Sequence, residues 1–394
     1  MAGPLAGVKV VSFGRYLSGP FASMLMADLG AEVIKIEDRK GDPVRHNSPF
    51  VGDLSHYFLS VNRGKKSFSI DLRHPRTKAV LEELVKQADI LIENFRPGIM
   101  KKMGFDYEAA QKLNPRLIYL SISGFGQTGP YAYKPAYDMV AQGIGGTISI
   151  TGMPDSPPAR VGYSIGDMGA GLFGVVASLA ALYERERSGE GQYVDLAMMD
   201  SQIALCENAF SRYFASGEVP KPLGSRHPII TPFQVFQTRT DYMVVIAARE
   251  EEWKKLCRAI GREDLMDDER FLTNDLRSES HQVLESVLND IFRAKPRDEW
   301  LALFDREGIV ASPVNTIEQV AVDSHAQARE MFLNLAHPRL GVLKMVGTPM
   351  KFSRTPCQIK NAPPDLGEHT RDILRDNLKL SSEEIRKFQD EGFI

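Results

Sequence analysis

One acid stands out by its company. Asp167 sits in Val161-Gly-Tyr-Ser-Ile-Gly-Asp-Met-Gly-Ala-Gly171, between glycines, at the mouth of the apolar run Leu172-Phe-Gly-Val-Val-Ala-Ser-Leu-Ala-Ala-Leu-Tyr183. A carboxylate at the start of a helix meets unpaired backbone N–H groups and the positive end of the helix dipole. A dipole effect of about 0.3–2 kcal/mol lowers a carboxyl pKa by about a unit at most, so Asp167 is expected to be ionised at neutral pH. The glycines leave room for a ligand to approach the backbone closely. Such a carboxylate serves as a nucleophile. Taken alone, such an acid is more commonly only an N-cap, with the glycines packing two elements together.

Other chemistries find less support. Gly124-Phe-Gly-Gln-Thr-Gly129 has the dinucleotide-binding spacing and follows a strand, but Pro130, Lys134 and Pro135 stand where a helix would have to begin. The eight histidines form no HxxxH or HExxH, so no metal site is expected. There is no GxSxG elbow and no GxxxxGK[ST] loop. What remains is a set of basic residues on expected loops: Arg15, Arg39, Lys40, residues 63–66, Arg73, Arg96, Lys101 and Lys102. Each alone reads as a solvated charge. Several at strand ends together would bind a phosphorylated ligand, with Phe95, Met103 and Phe105 available to flank an aromatic base or to pack in the core.

The elements that would position these residues alternate. Strands are expected at 8–13, 33–37, 67–71, 90–94 and 117–122, with helices from Ser18 to Gly30 and at 75–87 and 107–113. This alternation predicts an α/β fold with a doubly wound, mostly parallel sheet, in which ligands bind beyond the carboxyl ends of the strands. Longer helices follow near 168–188 and 198–216. The apolar stretch at 165–183 reads as a buried helix, since glycine and alanine dominate it. Proline, glycine and basic residues cluster at 217–232, which marks a crossing into a smaller α/β domain. The expected organisation is therefore 1–216 as the large domain, 217–325 as the small one, and 326–394 returning to complete the first.

With 394 residues, two domains are the default. A net charge of −3 argues against a general nucleic-acid or membrane-surface role. Cys206, Cys257 and Cys357 form no CxxC pair and fit reduced thiols of a cytoplasmic protein. The opening Met1-Ala-Gly-Pro-Leu has no secretory pattern.

A series of short segments runs nearly end to end. It includes Ser18-Gly-Pro, Leu29-Gly-Ala-Glu-Val-Ile-Lys-Ile-Glu37, Asn62-Arg-Gly-Lys-Lys, Glu93-Asn-Phe-Arg-Pro-Gly98, Ser123-Gly-Phe-Gly-Gln-Thr-Gly-Pro130, Ala136-Tyr-Asp-Met139, Gly166-Asp-Met-Gly169 and Gly367-Glu-His-Thr370. In this order they resemble the family III CoA-transferases, the group that contains carnitine CoA-transferase, formyl-CoA transferase and α-methylacyl-CoA racemase. The resemblance implies that Asp167 is the nucleophile. It implies that Arg39 and Arg73 contact the CoA nucleotide, that Leu72, Asn94, Phe95, Arg96, Lys102 and Met103 surround its adenine and phosphates, and that Tyr137 and Asp138 line the pantetheine arm. It further implies an intertwined, ring-like homodimer, acyl-CoA and carboxylic acid substrates, and no cofactor beyond the CoA that the substrates carry.

Two branches and one non-catalytic reading compete within that resemblance. Racemases pair the aspartate with the histidine of a Gly-His-Asp motif, and here Ala136-Tyr137-Asp138 stands instead. A phenol is a poor base near neutrality, which favours transfer. Formyl-CoA transferases carry a glutamine where this chain has Leu17, and a glycine-rich loop near residues 225–233, so formyl transfer is not expected. Arg226 and His227 in that loop would hold the distal carboxylate of a dicarboxylic acid such as succinate (as its CoA ester) or oxalate, or would be structural. A CoA-binding protein without activity would have no use for Asp167.

Overall fold

Six short strands form one parallel sheet in the computed structural model, which describes residues 2–394; Met1, at the head of the expected large domain, lies outside the described residues. The strands are β1 (Lys9–Ser12), β2 (Glu32–Glu37), β3 (Lys65–Ser69), β4 (Ile90–Glu93), β5 (Ile118–Ser123) and β6 (Tyr193–Ala197), in the order β3-β2-β1-β4-β5-β6. Both faces are covered. Val10, Val33, Ile90 and Ile92 point into one core, and Val11, Ile34 and Leu91 into the other, as the two-residue period of a strand requires. Strands buried on both faces read as near-continuous apolar runs, which is why β1, β2, β4 and β5 were legible; β3, expected at 67–71, lies at Lys65–Ser69, where Lys65 and Ser67 are buried polar residues. β6 was not expected, because Asp195 interrupts its run.

Helices fill both sides. The first core takes α2 (Thr77–Gln87), whose Val80, Leu81, Leu84 and Val85 form one buried stripe, and the C-terminal residues Ile385, Phe388 and Phe393. The second core takes α1 (Ser18–Asp28), buried almost all round, and α5 (Ile165–Ser188). Between these in sequence lie α3 (Tyr107–Leu113) and α4 (Asp138–Ile144). α5 ends where Gly189 adopts a left-handed φ of 78° and returns its N–H to Arg185 O at 2.8 Å.

α5 departs from expectation. Gly166, Gly169, Ala170, Gly174 and Val175 are buried, but Leu172, Phe173, Val176 and Tyr183 are exposed. The helix is thus buried on one face only. Its glycines permit a close approach to α1: a Cβ on Gly171 would meet Phe21 Cδ1 at 2.9 Å and Ser18 O at 3.1 Å. The single helix expected near 198–216 is two, α6 (Met198–Leu205) and α7 (Glu207–Ser216), broken at Cys206.

The chain divides into two compact units. The first comprises Met1–Thr147, Arg160–Phe214 and Ser324–Ile394; the second comprises Ile148–Ala159 and Ala215–Asp323. Residues 148–159, expected in the large domain, therefore group with the small one. The second unit holds a three-stranded antiparallel sheet of β7 (Phe233–Gln237), β8 (Tyr242–Ile246) and β9 (Val310–Pro313), with β8 central. Its core gathers Phe236, Met243, Val245, Trp253, Phe292, Trp300 and Phe304. In the first unit, the hairpin of β10 (Phe332–His337) and β11 (Gly341–Val346) packs Leu335, Leu343 and Met345 on Val44, Phe58 and Leu59.

Candidate active site

The strand order reverses between β1 and β4, and a crevice opens there beyond the carboxyl ends of the two strands. The loops leaving them are joined by one side chain. Asn94, just after β4, accepts the Arg15 N–H through Oδ1 (2.8 Å) and donates Nδ2 to Arg15 O (2.9 Å) and to Ser18 Oγ (3.0 Å). Tyr16 holds a left-handed φ of 60°, a conformation uncommon outside glycine. Asp42 Oδ1 takes its N–H at 3.2 Å, and Asp42 Oδ2 forms a buried ion pair with Lys35 at 2.8 Å. Lys35 also donates to Gly14 O at 2.6 Å. A buried ion pair therefore fixes the loop that carries Tyr16.

A cavity of about 270 Å³ lies at this reversal, and Asp167 lines it together with Ser18, Tyr57, Phe95, Tyr137 and Asp138. Asp167 is not the cap of its helix. Ser164, at the N-cap, makes no side-chain capping bond; Asp138 supplies the acceptor from α4. Its Oδ1 takes the Gly166 N–H at 2.8 Å and the Asp167 N–H at 3.4 Å, while Oδ2 accepts from Gln142 Nε2 at 2.7 Å. Gln142 Oε1 in turn accepts the Val161 N–H at 3.0 Å. With the helix end satisfied by Asp138, the Asp167 carboxylate faces the cavity.

The electrostatics reverse the sign expected from the dipole. Burial, and then the like charge of Asp138, push the Asp167 carboxyl up from 3.8 to about 6. Hydrogen bonding from the Ser18 hydroxyl and backbone N–H acts in the opposite sense. Asp167 is still mostly ionised at pH 7, but it is a much stronger base than a solvated aspartate. Burial first, then the charges of Asp167 and Asp42, push the Tyr57 phenol up to about 12, so Tyr57 remains a hydrogen-bond donor.

Of the expected site residues, Asn94, Phe95, Arg96, Tyr137 and Asp138 share the cavity with Asp167. The others lie elsewhere. Arg39 lines a separate cavity of about 440 Å³ with Arg371 and donates Nη1 to Gly392 O at 2.9 Å. Leu72 and Met103 pack partly buried against the core of the α2 face. Arg73 and Lys102 are exposed. Arg226 and His227 belong to the second unit. There burial lowers the Arg226 pKa, and His227 stacks on Phe233 with centroids 4.9 Å apart.

Among the basic loop residues, several are structural. Arg63 forms a buried ion pair with Asp28 at 2.6 Å, and Lys65 is buried against Pro20 O, Val61 O and Asn62 Oδ1. Lys66 pairs with Glu32 at 2.6 Å. Arg15 lies over the Phe95 ring at 5.2 Å. The dinucleotide spacing at 124–129 opens no helix; the next one begins at Asp138. Sequence reasoning missed Tyr16, Ser18 and Tyr57 as cavity residues. Position after β1 was a usable signal for the first two, whereas nothing in His56-Tyr57-Phe58 marked the third.

A mostly parallel six-stranded sheet with helices on both faces, and a cavity at its reversal point lined by Asp167, defines a doubly wound α/β protein. The family model for CoA-transferase family III matches residues 5–370, and the chain belongs to that family. It is 35% identical to the succinyl-CoA:glutarate CoA-transferase of Mus musculus, over 99% of this chain and 90% of that protein. It is 40% identical to the acetyl-CoA:oxalate CoA-transferase of Acetobacter aceti, over 89% of this chain and 90% of that protein. The crystal structure of a CAIB/BAIF family protein from Brucella suis superposes with a TM-score of 0.87 at 36% identity, covering 96% of this chain and all of that one. The chain is accordingly an enzyme of the CoA-transferase type.

Proposed function

We propose that the protein moves CoA from an acyl-CoA to a carboxylic acid through covalent intermediates on Asp167, with dicarboxylic acids as substrates. The observation that carries this reading is the carboxylate of Asp167, uncommitted to capping its helix and raised toward neutrality in a cavity at the sheet's reversal point. A basic, partly desolvated carboxylate is a better nucleophile than a solvated one.

Asp167 attacks the thioester carbonyl of the donor, the C–S bond breaks, and CoA thiolate leaves a mixed anhydride on the aspartyl oxygen. The thiolate then attacks the aspartyl carbonyl and expels the donor's acid as a carboxylate, leaving an aspartyl-CoA thioester. The acceptor carboxylate attacks that thioester, releasing thiolate and forming a second anhydride. Thiolate attack on the acceptor's carbonyl completes the new acyl-CoA and restores Asp167. No group beyond Asp167 and the two substrates changes its bonds. The Ser18 N–H and the Tyr57 hydroxyl are the donors suited to the oxyanion of each tetrahedral step.

Asn94, Phe95, Arg96, Tyr137 and Asp138 would hold the arm and nucleotide of CoA, with Arg39 and Arg73 toward its phosphates. Tyr137 beside Asp167, in place of a histidine, favours transfer over racemisation. Succinyl-CoA:glutarate and acetyl-CoA:oxalate activities are named for relatives, and they support dicarboxylate substrates; Arg226 and His227 would bind the distal carboxylate. Exposed Leu172, Phe173, Val176 and Tyr183 on α5 support a homodimer that covers them.

The test is incubation with a panel of acyl-CoA donors, followed by mass spectrometry of the Asp167 peptide. A CoA thioester on Asp167, absent in Asp167→Ala, is the expected outcome. Exchange of the α-proton with no adduct on any donor would replace transfer by racemisation. For the acceptor, Arg226→Ala is expected to raise the KM of dicarboxylates selectively; an unchanged KM removes that assignment.

A further inference from the structure

Glu93 is a buried carboxyl that the mechanism above leaves unused. It ends β4 directly before residues 94–96, is 4% exposed, and forms no ion pair among the described residues. Its Oε2 accepts the Phe95 N–H at 2.8 Å, and its Oε1 is bonded by Ser121 Oγ at the end of β5. Ser121 Oγ also accepts from Gln127 Nε2 at 3.0 Å, and the Gln127 N–H is taken by the Asp195 carboxylate at 3.0 and 3.2 Å. One carboxyl thus ties the loop after β4 to the loop after β5. Both loops line the cavity, through Asn94, Phe95 and Arg96 on one side and Ser123 and Gly124 on the other.

The contacts continue to the nucleophile. Phe95 is fixed by Glu93; Asn94 beside it holds Ser18 Oγ, and Ser18 hydrogen-bonds Asp167. The charges and phenols facing Glu93 are Asp195 from β6, of like sign, Tyr193 from the same strand and Tyr119 from β5. Tyr119 gives its hydroxyl to Phe105 O at 2.9 Å, whereas Tyr193 hydrogen-bonds Ser121. A carboxylate in such a place is costly without a cation. A glutamine would fill the same space at less cost.

We propose that Glu93 is a positioning residue for CoA transfer, clasping the two loops in the register that acyl-CoA binding needs and loosening them when it takes up a proton. When Glu93 is ionised, both oxygens accept, one from Phe95 and one from Ser121. When it is protonated, its O–H donates to Ser121, whose own hydroxyl turns to Tyr193, and Phe95 keeps only a bond to a neutral carbonyl. A hydrogen bond to a neutral acceptor is roughly half as strong as one to an anion. Burial pushes the Glu93 carboxyl up to about 7, so the exchange falls in the working pH range.

This inference rests on the acyl-CoA reading, and its test separates the two. Steady-state kinetics with an acyl-CoA donor are measured from pH 6 to 8 on the full chain, alongside amide hydrogen exchange of residues 93–98 and 123–129 in the free protein. In the wild type, KM is expected to fall about tenfold as pH rises through 7, the worth of a charged over a neutral hydrogen bond. In Glu93→Gln the KM is expected to stay at the high value throughout, and both segments to exchange faster at pH 8. The fall of kcat with the protonation of Asp167 should persist in that variant. Ser121→Ala, which removes the hydroxyl through which Glu93 holds Gln127 and the loop after β5, is expected to raise KM at pH 8 toward the high value and to speed exchange of residues 123–129, and it carries the test if Glu93→Gln does not fold. Wild-type KM and exchange profiles in both variants would overturn the clasp. A protein that turns over no acyl-CoA would sink the transfer reading, while the exchange data would still decide the role of Glu93.

Discussion

Replacing Asp167 by asparagine is expected to stabilise the protein, and only above acid pH. The carboxyl rises from 3.8 to about 6 on folding. Between those values the folded chain holds a proton that the unfolded chain has released, so this group's contribution to stability falls as pH rises through the window and is constant above it. A shift of this size corresponds to about 3 kcal/mol at pH 7 and above, and to almost nothing near pH 3. Asp167→Asn keeps the shape and removes the ionisation, including the repulsion by Asp138. The difference in unfolding free energy between variant and wild type should therefore grow from near zero in acid to about 3 kcal/mol at neutrality. Urea titrations followed by far-UV circular dichroism are the appropriate assay. Both tryptophans, Trp253 and Trp300, lie in the second unit, so their fluorescence reports on the wrong part of the chain. A stability difference that does not change between acid and neutral pH would refute the claim that desolvation and Asp138 set the Asp167 pKa.

Three further outcomes follow from the same geometry. Asp138→Ala removes the acceptor for two N–H groups of α5 and should cost about 1–2 kcal/mol in thermal or urea unfolding; it also removes a like charge, so the acid limb of kcat should move to lower pH. Lys35→Ala leaves Asp42 buried without its partner and should cost about 3–5 kcal/mol, much of which the double variant Lys35→Ala/Asp42→Ala should recover, as a double-mutant cycle would measure. Gly171→Ala gains helix propensity of about 1 kcal/mol, yet its Cβ would meet Phe21 and Ser18; displacement of Ser18 should lower kcat by about tenfold or more with little change in the urea midpoint.

The fold was legible where one local signal settled an element. Both ends of α3 could be read, because Asp106 caps it through Ala109 N–H at 3.3 Å and Pro115 follows Asn114. Most strands of the parallel sheet announced themselves by apolar runs, whereas β3 carries buried Lys65 and Ser67 and was placed two residues late. The break at Cys206 was not legible, since the pattern on either side is helical. The hairpin of β10 and β11 was missed because its outward residues, Asn334 and Lys344 among them, look like those of a polar return segment. In the site, Asp167 was found from its neighbours in sequence, but the sign of its pKa shift was not. A dipole is readable from local order, whereas burial and the charge of Asp138, 29 residues away, belong to the tertiary structure. Arg63 and Lys65 illustrate the converse, since their charge suggested a ligand and their burial shows internal partners.

Gln142 has a consequence that reaches past capping. The chain leaves the first unit after Thr147 and re-enters it at Arg160, and the first backbone group stitched on re-entry is the Val161 N–H, held by Gln142. The same glutamine steadies Asp138, which steadies the turn under Asp167. One amide side chain therefore joins the point where the chain re-enters the first unit to the turn that carries the Asp167 carboxylate, so Gln142→Ala would loosen both at once.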